Sequence, residues 1–120
     1  MKITEELKRK ILEMIKEEEC VDLIKELVPA GQPDAENPLD PDMPHAREEG
    51  ISLVVAEKLR KMGLEVQLSA GCEGRPNVVG LLKGMEGKPS LILNSHLDTY
   101  PAGDHREWDM TGFNPYNPTV

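Results

Sequence analysis

The sequence predicts an α/β domain in which two helices precede three strands and the sheet is left incomplete. Three observations carry this expectation. Apolar residues recur at helical spacing over residues 3–27 and again over 47–62. The period drops to two over 64–68, where Leu64, Val66 and Leu68 alternate with Glu65 and Gln67. Two further apolar runs bounded by turn residues follow, 78–82 and 91–93, and beyond them Gly and Pro break every periodic pattern.

In the first helical stretch Leu7, Ile11 and Ile15 form one stripe and Leu23, Ile24 and Leu27 another. The stripe shifts phase around Glu17-Glu18-Glu19, so a break between two helices is placed there. Thr4 is available as an N-cap, acids fill the first turn, and Pro29 is expected to end the helix. Residues 29–46 hold five prolines together with Asp34, Glu36, Asp40 and Asp42 and read as an irregular solvated loop, without a calcium-loop pattern. Ile51, Val55, Leu59 and Met62 then line one face of the second helix, and Gly63 supplies its left-handed C-terminal position. After a turn at 71–74, the consecutive apolar residues of 78–82 suit a deeply buried strand. A second turn at 84–89 leads into Leu91-Ile92-Leu93, which reads as an interior strand. Helices on one side of strands that lack cover on the other imply a layered domain that has been cut.

Fourteen basic and 22 acidic side chains give a net charge of −8. Binding a nucleic acid requires a basic stripe that displaces counterions from phosphates. The one dense cluster here, Lys8-Arg9-Lys10, is flanked by Glu5, Glu6 and Glu13 and reads as a solvated helix face. No apolar run approaches the roughly 20 residues that span a bilayer, and the N-terminus lacks the apolar segment of a signal peptide. Cys20 and Cys72 form neither a CxxC pair nor a disulfide framework and read as buried small hydrophobes with free thiols, which suits a cytoplasmic chain. The four aromatic residues, Tyr100, Trp108, Phe113 and Tyr116, all lie in the last 21 positions, where little regular structure is expected to support them.

Ser95-His96-Leu97-Asp98-Thr99 leaves the last apolar run. In an extended chain His96 and Asp98 point to the same side, at the end of a strand where open α/β sheets bind ligands. A carboxylate that accepts the second ring N–H of an imidazole fixes its tautomer and raises its basicity, an arrangement that suits a zinc site. His45, in the proline loop, and His105, between Asp104 and Arg106, are expected to be solvent-exposed.

Several stretches together, Gly74-Arg75-Pro76-Asn77-Val78-Val79-Gly80, Gly84, residues 91–101 with His96 and Asp98, Trp108 and Phe113-Asn114-Pro115, resemble the M20 family of metallopeptidases and deacylases. Within it the likeness is to the acetylornithine deacetylase/succinyl-diaminopimelate desuccinylase group. The resemblance covers nearly the whole chain and implies that 1–120 is the N-terminal part of a zinc-exopeptidase-like α/β/α catalytic domain, without the inserted dimerisation domain and the C-terminal part. It implies a hydrolase with two zinc or cobalt ions that cleaves the amide bond of N-acyl amino acids or small peptides. His96 matches the first metal ligand and Asp98 the acid that orients it, while Asn77 reads as a strand start. Two metals would lower the pKa of a bridging water and make hydroxide available near neutral pH.

Tyr100 stands where that family usually has a small aliphatic residue, and Gly112-Phe113 replaces a more usual Pro-Phe. The family's G-R-G-x-x-D-x-K-G segment, its glutamate general base and its remaining ligands are missing, so the 120-residue chain is expected to be inactive by itself. Two other readings stand beside it. One is a non-enzymatic interaction module that pairs its open sheet edge with a partner. The other is one half of a split enzyme completed by another chain. The partners implied are a small N-acyl amino acid or peptide substrate and a complementing chain or a second copy in a homodimer, with neither nucleic acid nor membrane.

Overall fold

The computed structural model describes residues 3–31, 48–88, 90–99 and 102–119. Residues 32–46 of the proline loop, with His45, and Tyr100 lie outside the described residues. Three helices lead into an antiparallel hairpin: α1 (Glu5–Met14), α2 (Glu17–Ala30), α3 (Glu49–Lys61), β1 (Glu65–Ala70) and β2 (Pro76–Leu81), followed by two single-turn 3₁₀ segments, His105–Glu107 and Asp109–Thr111.

The first helical stretch is two helices, as the phase shift suggested, but the break sits earlier. Ile15 and Lys16 adopt extended backbone, and Glu17, Glu18 and Glu19 form the first turn of α2. Three carboxylates there face the positive end of the helix dipole, which favours a helix start at that point. The hydroxyl of Thr4 caps α1, accepting the Leu7 N–H at 3.2 Å. Lys8, Arg9 and Lys10 pair with Glu5, Glu13 and Glu6 at 2.7, 3.1 and 2.9 Å, so the basic cluster is spent on the helix surface.

Pro29 does not end the helix. It lies inside the last turn of α2, which runs on to Ala30 and closes when the Gly31 N–H donates to the carbonyls of Leu27 and Val28. A proline this close to the end removes one backbone bond without breaking a turn that Gly31 then completes. The end of α2 lies against the start of α3: a Cβ on Gly50 would stand 2.6 Å from the Ala30 carbonyl oxygen. One turn before the end of α2, Glu26 meets Lys58 of α3 at 2.6 Å.

α3 carries the core. Ile51, Ser52 and Ala56 are buried, with Val55 and Leu59 half-buried beside them, whereas Met62, expected on the same face, is 71% exposed. Burying Ile51 contributes about 2 kcal/mol. Small residues at 52 and 56 let the hairpin approach α3, and the Ser52 hydroxyl donates to the Pro76 carbonyl at 3.0 Å. Gly63 takes the left-handed conformation with φ +87, as the sequence required, and turns the chain into β1.

β1 and β2 pair from Glu65↔Leu81 to Ala70↔Pro76, joined across the turn in which Gly74 has φ +74. The hairpin is covered on one face. Val66 and Val78 are half-buried on the α3 side, while Val79 and Leu81 are 55% and 54% exposed, so the deep burial expected of 78–82 does not occur. Nor does 91–93 form a strand: Leu91, Ile92 and Leu93 are 82–88% exposed. A strand exists only when a neighbour takes up its backbone groups, and among the described residues the sheet consists of β1 and β2 alone. Among the described residues the architecture is a mixed α/β one and incomplete, with a helical layer on one side of the sheet and no element on the other. The radius of gyration, 17.9 Å, exceeds the roughly 14 Å of a compact chain of this length.

The candidate metal-binding segment

The segment holding His96 and Asp98 follows the exposed 91–93 run without helix or strand structure of its own. It nevertheless brings the two side chains together. Nδ1 of His96 lies 3.2 Å from Oδ1 of Asp98 and 3.0 Å from the Asp98 backbone carbonyl. The carbonyl can only accept, so its hydrogen bond requires the proton on Nδ1, and in the neutral ring Nε2 is left with its lone pair. An imidazole held in this tautomer is the form that ligates a metal through Nε2. The side chains of both residues face solvent, 85% and 62% exposed.

A zinc site takes three or four protein ligands. Among the described residues no group of three or more His, Cys, Asp and Glu side chains is placed to hold a metal ion. Among the described residues the pair does not by itself make a complete site.

The other candidates lie elsewhere. His105 is exposed, as expected, and its ring meets that of Tyr116 edge-on at 6.4 Å. Beside it, Asp104 accepts from the Arg106 side chain at 2.6–3.0 Å and from its backbone N–H at 2.9 Å. These bonds hold the Asp104 carboxyl below the usual carboxylate range and push the Arg106 guanidinium up. The aromatic residues at this end organise a small loop unit. Trp108 donates its indole N–H to the Ala102 carbonyl at 2.9 Å, and Pro115 is buried. Gly112 and Phe113 both have positive φ, +68 and +61, the second being costly for a residue with a side chain.

Cys20 and Cys72 are both exposed, not buried. α2 turns only part of its surface toward α3, and Cys72 sits in the hairpin turn, so neither position reaches the core. The sequence pattern also gave no sign of the ion pair that ties the start of β2 to α3. Arg75 meets Glu48 through two nitrogens across 27 positions, and Glu48 carries no local motif. Among the described residues, no helix is long and apolar enough to cross a membrane.

No family model matches the chain, and no solved structure does. A curated protein is similar to it: the N-formyl-4-amino-5-aminomethyl-2-methylpyrimidine deformylase of Bacillus subtilis (strain 168), 35% identical over 77 residues. Those residues are 62% of this chain and 18% of the deformylase, so the chain spans under a fifth of that relative's length. The similarity is to a hydrolase.

Proposed function

We propose that the chain contributes one metal ligand to a dinuclear-metal amide hydrolase of the M20 type, with His96 as that ligand and Asp98 as the acid that positions it. The observation that carries this reading is the Nδ1 contact of His96 with Asp98, which leaves Nε2 available. The similarity to a deformylase supports it from the side of the reaction, because removing a formyl group from nitrogen is hydrolysis of an amide. The substrate class is a small N-acylated amine, an N-formyl amine or an N-acyl amino acid. Bound zinc or cobalt would supply hydroxide from water near neutral pH. This chain's own part is to hold a neutral imidazole in one tautomer. The remaining ligands come from outside the described residues, either from further sequence of the same enzyme or from a complementing chain. The two free thiols, Cys20 and Cys72, suit a reducing compartment such as the cytoplasm.

The test is to isolate the chain from its own cells with any polypeptide that completes it, measure zinc and cobalt content, and assay release of formate, acetate and succinate from N-acylated amines. Metal-dependent release that is lost on His96→Ala is the expected result. A metal-loaded assembly that hydrolyses none of them, or one in which His96→Ala retains full activity, would overturn the proposal. The exposure of Leu91, Ile92 and Leu93 favours a second reading, a non-enzymatic module that docks a partner. A stable complex without bound metal or deacylase activity would select it.

A further inference from the structure

We draw no further inference here: the strongest candidate, the exposed apolar run Leu91-Ile92-Leu93 beyond the bare face of the hairpin, carries nothing because nothing in the structure shows what covers it.

Discussion

Arg75 closes on Glu48 with a two-pronged grip, Nε 2.7 Å from Oε2 and Nη2 2.8 Å from Oε1, and so fastens the beginning of β2 to the residue that precedes α3. The Glu48 side chain is only 13% exposed, and that of Arg75 38%. Removing the guanidinium leaves a shielded carboxylate without these two charge-assisted bonds. Arg75→Met is expected to destabilise the chain by about 1–2 kcal/mol, the lower part of the range for charged hydrogen bonds because Arg75 is partly screened by solvent. Arg75→Lys recovers only part of this, since an ammonium cannot span both oxygens. Urea unfolding of the chain checks it: the midpoint falls while the slope stays constant, and a midpoint equal to wild type for Arg75→Met would refute the assignment.

Two glycine substitutions should separate propensity from packing. Alanine is favoured over glycine inside a helix by about 1 kcal/mol, which taken alone predicts that Gly50→Ala stabilises α3. The new methyl would stand 2.6 Å from a backbone oxygen, that of Ala30, and a backbone held in α2 cannot step aside without moving the helix. Gly50→Ala is therefore expected to destabilise by about 1–3 kcal/mol. Gly80→Ala meets side-chain ends, Leu64 Cδ2 at 2.9 Å and Leu59 Cδ1 at 3.0 Å, which can rotate away. Its cost should be the smaller of the two, and thermal melts of both variants in parallel decide the order.

Signals confined to neighbouring residues were legible in the sequence. Thr4 caps α1, Gly63 ends α3, and the alternation over 64–68 makes β1, because each depends on a side chain and the backbone within a few positions of it. His96 and Asp98, only two positions apart, also meet. What the sequence did not convey depends on tertiary surroundings. Leu91-Ile92-Leu93 has the composition of a buried strand, and such a run becomes a strand only against a neighbour. Cys20 and Cys72 are residue types that are usually buried, yet their positions keep both outside a core that Ile51, Ser52 and Ala56 fill. Arg75 and Glu48 find each other across a distance in sequence that no periodicity spans.

The Asp104–Arg106 pair gives a pH dependence with a definite sign. Its bonds lower the Asp104 carboxyl below the ordinary carboxylate value, so the loop gains from the ionised form above that value. The gain is lost as pH falls through the lowered one. Both groups face solvent, so the readout is a titration and not a stability change. NMR of the side-chain carboxyl carbon should place the Asp104 midpoint below that of an unstructured aspartate. Arg106→Gln should move it back up, and added salt should do so in part. A midpoint that Arg106→Gln leaves unmoved would show that the pair does not persist in solution.

The sharpest prediction concerns how His96 is held. Nδ1 bonds to the Asp98 carbonyl at 3.0 Å and lies 3.2 Å from the Asp98 carboxylate, and only the second is removed by substitution. Loss of an acid that orients a metal-bound histidine costs about 10–100-fold in metal affinity. Because the carbonyl still fixes the tautomer, Asp98→Ala in the metal-loaded assembly should fall at the low end, about tenfold, whereas His96→Ala removes the ligand itself and should cost far more. The isolated 120-residue chain, supplied with zinc or cobalt, should release neither formate nor acetate, since among the described residues one imidazole and its carboxylate fall short of the three or four ligands a zinc site takes. Competition with a chelator of known affinity measures the first two values, and product assays measure the third. Equal losses for Asp98→Ala and His96→Ala would mean that the carboxylate is itself a ligand and not a positioning group.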